Sequence, residues 1–234
     1  MIPWLGPDDP FPPVDQALRE PAGLLAAGGD LTPARLRDAY AHGIFPWFSD
    51  GEPLLWWSPD PRMVLFTREV RIARSLRRVL RSGRFTITFD QDFTGVMRGC
   101  AEPRNDDAGT WITPEMIAAY AALHRSGHAH SVEVWAGDVL AGGLYGVALG
   151  RLFFGESMFS RQSDASKVAL VTLARQLERW GFDMIDCQVS SSHLAALGAR
   201  EIARDEFIRR VAAAVRQPAV PPPWRLDPAI TIEG

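Results

Sequence analysis

The chain has 234 residues, 47 % of them hydrophobic, enough to bury one large core or two modest ones. A formal charge of −3 and a pI near 6.0 give no global argument for nucleic acid or a membrane surface, and no apolar run approaches spanning length. Cys100 and Cys187 stand far apart, with no CxxC and no cluster of His or Cys at metal spacing, which argues against a disulfide framework or a structural zinc.

The opening "MIPWLGPDDPFPP" is proline-rich and acidic rather than a secretory leader, so a cytoplasmic location is expected. The first sixty residues are dense in Pro, Gly and Trp. In "GGDLTPARLRDAYAHG" Thr32 stands where a helix cap belongs, Pro33 takes the first helical position and Gly43 follows the end. Short aromatic segments broken by proline come next, "IFPWF" and "LLWWSPDPR". The Pro59–Pro61 stretch divides a small N-terminal α/β domain, residues 1–62, from a larger domain, residues 63–234.

Beyond that point the periodicity lengthens. "REVRIARSLRRVLRSG" predicts an amphipathic helix with Ile72, Leu76, Val79 and Leu80 on one side, and "RFTITFD" alternates as a strand. "TPEMIAAYAALHRSG" predicts a helix capped by Thr113. A meander follows: "SVEVW", a turn at Gly137-Asp138, "VLAGGLYGVAL", a turn at Gly150-Arg151, then "LFFGESMF". The helix "SKVALVTLARQLERW" stops at Gly181 before the strand "MIDCQV". A short helix over His193–Leu197 and another from Asp205 through Val215 precede a proline-rich tail. The class is α/β (α+β), and the element order is that of the GNAT acyltransferase fold. Fold alone proves no activity, but acyl transfer to an amine becomes the first hypothesis.

A coenzyme A enzyme of that fold needs a glycine-rich turn whose amides hold a pyrophosphate at a helix N-terminus. Here the turn is "SRQSDASK", with no glycine and with Asp164 where the phosphates would sit, so another acyl donor is indicated. Glu156 follows a strand glycine between Phe154 and Met158. It is either a paired structural carboxylate or a group that orients a cation or a ribose hydroxyl, and it needs a partner in both cases. In "MIDCQV" alternation sets Met184, Asp186 and Gln188 on one face and Ile185, Cys187 and Val189 on the other. Cys187 as a nucleophile would want His193 as base, but no third group orients that pair; a buried apolar thiol is the better default.

Between Arg62 and Arg84 lie eight arginines and one acid, Glu69. Arg71, Arg74, Arg78 and Arg81 make a stripe opposite the apolar face, suited to solvent or to a phosphate backbone. Trp47, Trp56, Trp57 and Trp111 lie around it in sequence. Aromatic rings beside a basic patch can stack single-stranded bases, although most tryptophans are core.

Taken together, "EPAGLLAAGGDL", "AYAHGIFPWF", "LLWWSPDPR", "GTWITPEMI", "HAHSVEVW", "GGLYGVALGRLFFGESMFSR" and "IDCQV…HLAALGA" closely resemble leucyl/phenylalanyl-tRNA–protein transferases, in order from about Phe11 to Val211. The resemblance implies a small N-terminal domain joined to a GNAT-like domain that lacks coenzyme A. It also implies transfer of Leu or Phe, less often Met, from aminoacyl-tRNA to a protein's N-terminal Arg or Lys, which marks that protein for N-end rule degradation. No cofactor or metal is implied, and a monomer with no membrane partner is expected. By position, Glu156, Asp186 and Gln188 look like the central polar residues, and Trp47 and Trp111 look suited to the terminal adenosine. Phe153, Met158 and Ile185 look like walls of the amino-acid pocket. Leu144 stands where some relatives would carry Met, a volume-conserving change that spares the pocket. Arg74, Arg78 and Arg81 are the expected tRNA contacts. Asp186 is a base or relay, or it only orients the amine through Gln188; proton shuttling by the ribose competes with both. A coenzyme A-dependent N-acetyltransferase and a non-catalytic tRNA-binding module are the alternatives.

Overall fold

The computed structural model describes residues 2–103 and 111–230. Two sheets organise them. The first has the order β1-β2-β4-β3 and is built from β1 (Trp4–Leu5), β2 (Leu24–Gly28), β3 (Phe45–Pro46) and β4 (Leu55–Trp57). The second is assembled from β5 (Arg62–Phe66), β6 (Thr86–Phe89), β7 (Ala129–Ala136), β8 (Val139–Leu149), β9 (Leu152–Ser160), β10 (Met184–Gln188) and β11 (Arg200–Ile202). Its order is β11-β5-β10-β9-β8-β7-β6. Arg62, placed by the sequence at the end of the first domain, is the first residue of β5 in the large sheet.

The helix signals act as their chemistry dictates. Helix α1 (Pro33–Ala41) begins where the Thr32 side chain accepts from the Arg35 amide, and Gly43 leaves it at a φ of +72°. Helix α2 (Arg74–Arg81) is shorter than the periodicity predicts. Residues 67–69 form a 3₁₀ turn and Val70 is extended, so only Leu76 of its apolar side is fully buried.

The sequence pattern does not predict helix α3 (Phe93–Ala101), because Gly95 and Gly99 lower its intrinsic propensity. Packing overrides that deficit: Phe93, Val96, Met97 and Cys100 are buried, and bare Gly99 leaves room for the Phe159 ring. Helix α4 (Pro114–Arg125) is capped by Thr113, and α5 (Ala165–Arg179) lies on β7, β8 and β9 with ten buried residues. Helices α6 (Ser192–Ala196) and α7 (Arg204–Ala214) end the regular structure. Strand β11 between them, too short and too polar to read as a strand, is an edge.

The sheets are not independent. Leu25 and Trp56 of the small sheet belong to one apolar cluster with Tyr40, Tyr120, Phe154 and Phe207. A second cluster beneath α5 joins Leu144, Phe153, Leu170, Leu173 and Ile185. The proline-rich tail docks on the latter: Trp224 is buried, stacks 3.6 Å from His130, and its amide donates to Asp90 Oδ2 at 2.9 Å.

Candidate active site

The site arises where two parallel strands part. β9 and β10 pair at Phe153–Ile185 and Phe154–Asp186. Past that point the β10 register on β5 shifts between Asp186 and Gln188, and Gln188 turns to a φ of +64°. A cavity of about 490 Å³ opens between the strand ends, α5 and the small sheet's Phe45, Pro46 and Trp47.

All nine residues singled out for catalysis or substrate binding line this one cavity: Trp47, Trp111, Leu144, Phe153, Glu156, Met158, Ile185, Asp186 and Gln188. Leu144 faces Met158 across the β8–β9 ladder, and with Phe153, Ile185, Leu170 and Leu173 they make an apolar lobe. Trp47 is 44 % exposed, with its ring 5.7 Å from that of Trp57. Arg74, Arg78 and Arg81 do not reach the cavity; they are exposed on α2. Arg62, counted by the sequence in the same basic run, is fully buried instead.

The polar groups form a connected chain. Asp186 receives Arg62 Nε on Oδ1 at 2.8 Å and Arg62 Nη2 on Oδ2 at 2.7 Å, with neither side chain exposed. Asp186 Oδ1 also accepts the Gln188 amide at 2.9 Å. Gln188 Nε2 donates to Glu156 Oε1 at 2.9 Å, and Tyr120 donates to Glu156 Oε2 at 3.0 Å. The Tyr40 hydroxyl bonds to that of Tyr120. Burial pushes the Glu156 carboxyl up to about 7, against hydrogen bonding from Tyr40 and Tyr120, which favours its ionised form. Burial and the charge of Glu156 hold both tyrosines neutral.

Alternation fails at the end of β10. The cavity is lined from both faces of the strand end, by Ile185 and Cys187 as well as Asp186 and Gln188, so the expected division of faces does not keep Cys187 away from it. The thiol is still a poor nucleophile: burial, then the negative charge of Asp186, push it well above its ordinary value. Its hydrogen bond runs to the Ile185 carbonyl at 3.8 Å, not to His193.

Sequence reasoning missed Arg62, Tyr40 and Tyr120 of the polar chain, Tyr145, which also lines the cavity, and Leu170 and Leu173 of the apolar lobe. The leucines carried only the ordinary signal of a buried helix face, and the tyrosines that of amphipathic helix and strand positions. Arg62 could have been noticed as the arginine closing "SPDPR" immediately before an apolar strand. Among the described residues, no group of three His, Cys, Asp or Glu is arranged to hold a metal ion. No described helix is long and apolar enough to cross a membrane. At the turn before α5, Asp164 pairs with Lys167 at 2.8 Å.

The family described as leucyl/phenylalanyl-tRNA protein transferase matches residues 64–212, and its N-terminal domain matches residues 29–60. A leucyl/phenylalanyl-tRNA–protein transferase of Nitrosospira multiformis is 65 % identical, covering 90 % of this chain and 91 % of its own. The enzyme of the same name from Nitrosomonas europaea is 61 % identical over 97 % of this chain and 96 % of its own. That from Chromobacterium violaceum is 58 % identical over 96 % of both. Among solved structures, a GCN5-related N-acetyltransferase from Kribbella flavida aligns with a TM-score of 0.39 at 12 % identity, over 71 % of this chain and 60 % of that one. So remote a likeness adds nothing to the strand order itself.

Proposed function

Because this chain belongs to the leucyl/phenylalanyl-tRNA protein transferase family, we propose that it moves leucine or phenylalanine, and less often methionine, from aminoacyl-tRNA to the N-terminal Arg or Lys of acceptor proteins. The product is a protein marked for degradation by its new N-terminus, and the setting is the cytoplasm, with the enzyme acting as a monomer. The single observation that carries this reading is the junction of an apolar lobe and a polar chain in one cavity. The leucyl or phenylalanyl side chain enters among Leu144, Phe153, Met158 and Ile185. Trp47 and Trp111 stack against the terminal adenosine, and Arg74, Arg78 and Arg81 take phosphates farther along the tRNA.

The reaction converts an ester to an amide, which is downhill and requires no nucleotide hydrolysis. An N-terminal amine has a pKa of about 7.7–8.0, so roughly a tenth is already neutral near pH 7. That amine donates to Gln188 Oε1, which has no partner among the described residues while its Nε2 is engaged with Glu156. The nitrogen–carbon bond forms as the ester carbon–oxygen bond breaks, and the proton lost by nitrogen ends on the ribose oxygen. Glu156, buried and near neutrality in its titration, meets the positive side chain of the acceptor. Orientation in a water-poor cleft supplies most of the rate, up to about 7–11 kcal/mol.

The test is transfer of labelled Leu or Phe from charged tRNA to a protein beginning with Arg, without ATP. Transfer by the parent that is abolished by Glu156→Ala and Gln188→Ala supports the reading. Binding of charged tRNA without any transfer would make the chain an RNA-binding module instead.

A further inference from the structure

Arg62 reaches no surface, yet it carries a charge into the core. Its Nε and Nη2 grip both oxygens of Asp186 at 2.8 and 2.7 Å, and its third nitrogen, Nη1, is buried with no hydrogen-bond partner among the described residues. The guanidinium lies between two rings, 4.7 Å from Phe45 of the small sheet and 4.5 Å from Phe207 of α7. A buried ion pair is weak ground for stability, since well-packed apolar residues of similar volume do as well or better. Stability alone therefore does not account for the pair's place in the core.

A role is visible one bond further on. Asp186 Oδ1 also accepts the amide of Gln188. Gln188 is not glycine but sits at a φ of +64°, a conformation that a side chain adopts only when its surroundings impose it. In that conformation its side-chain amide lies on Glu156 at 2.9 Å. We propose that Arg62 is a positioning residue for the transfer step: it fixes Asp186, Asp186 fixes the Gln188 backbone, and Gln188 is thereby aimed at the acceptor amine. The inference rests on the reading of the cavity given above. It also assigns Asp186 its part. Both oxygens accept from Arg62, Oδ1 also accepts the Gln188 amide, and the side chain has no exposed surface, so Asp186 acts through Gln188 and does not take the amine's proton.

The full chain is assayed for transfer of Phe from charged tRNA to a peptide beginning with Arg, with kcat and KM measured for each variant across pH 6–9. Arg62→Met is expected to lower kcat about 100-fold, the cost of a small misplacement. KM for charged tRNA should stay within about threefold, since ground-state binding is untouched. The pH profile should run parallel to the parent's. Arg62→Lys, which keeps the charge but not the two-point grip, should recover part of the loss. The double variant Arg62→Met with Asp186→Leu leaves no lone buried charge, and it should fold yet remain slow. It carries the comparison with Arg62→Lys where Arg62→Met does not fold. Parent-like kcat in the double variant would make the pair structural only and overturn the proposal. So would an Arg62→Met enzyme whose rate recovers toward one end of the pH range, because the freed Asp186 would then be acting as a base. A parent that transfers nothing would overturn the reading of the cavity, and this inference with it.

Discussion

Tyr120 and Glu156, 36 positions apart in sequence, meet in the core, hydroxyl to carboxylate Oε2 at 3.0 Å. Tyr40 stands behind that bond and Gln188 holds the other oxygen, so Glu156 is buried and partnered on both oxygens. Burial still raises its carboxyl from an ordinary 4.5 to about 7. Between those values the folded protein holds a proton that the unfolded chain has released, so stability falls as pH rises through the window. The difference, about 7 minus 4.5, corresponds to ~3 kcal/mol at most. Glu156→Gln cannot ionise and should gain on the parent by up to this amount between pH 5 and pH 8 in thermal melts. The same offset at both pH values would refute the raised titration.

Tyr120→Phe removes the donor to Glu156 Oε2 and the partner of the Tyr40 hydroxyl. Leaving a buried acceptor unsatisfied should cost about 1–3 kcal/mol. The tyrosine hydrogen bond favours the ionised carboxyl, so its loss should push Glu156 higher still and extend the decline in stability to more alkaline pH. Denaturant melts at several pH values from 6 to 9 would read both effects. A variant destabilised equally at every pH would mean that Tyr120 packs but does not tune the carboxylate.

Leu144 and Met158 face each other across β8 and β9 and bound the apolar lobe from two strands. Leu144→Phe fills part of that lobe, so the larger donor side chain should suffer first. The ratio of kcat/KM for Phe over Leu should drop roughly tenfold, in line with the 1–3 kcal/mol that a small change of shape is worth in such a pocket. Competing labelled Leu-tRNA and Phe-tRNA in one reaction gives the ratio directly. An unchanged ratio would place the side chain elsewhere in the cavity.

The three designs draw on residues of unequal legibility. Helix caps and turns were readable because Thr32, Thr113, Gly137 and Gly150 impose local geometry whatever surrounds them. The helix over Phe93–Ala101 and the edge strand at Arg200–Ile202 were not, because packing and edge pairing decide them against local propensity. The site divides in the same way. Glu156, Asp186 and Gln188 stood out as polar residues in apolar strands, and the family resemblance supplied the remaining walls. Their partners did not stand out. Arg62 lies 124 positions from Asp186 and looked like one more cation in a basic run. Period-two alternation also fails at Gln188, where a register shift and a positive φ redirect the chain. That is tertiary geometry, which no local pattern encodes.

Arg74 and Arg78 are exposed on α2, outside the cavity, and neither forms an ion pair among the described residues. If they meet tRNA phosphates, replacing both with Glu should raise KM for charged tRNA by an order of magnitude or more at low salt. The slope of log affinity against log salt should flatten by roughly one for each phosphate no longer neutralised. Chemistry in the cavity lies elsewhere, so kcat with a minimal aminoacyl-adenosine donor should match the parent. This control separates tRNA binding from damage to the fold. A variant that binds full-length charged tRNA with the parent's affinity and salt slope would make the stripe a solvated helix face. A variant impaired with the minimal donor as well would show that α2 supports the cavity through Leu76, its one fully buried residue, rather than through its arginines.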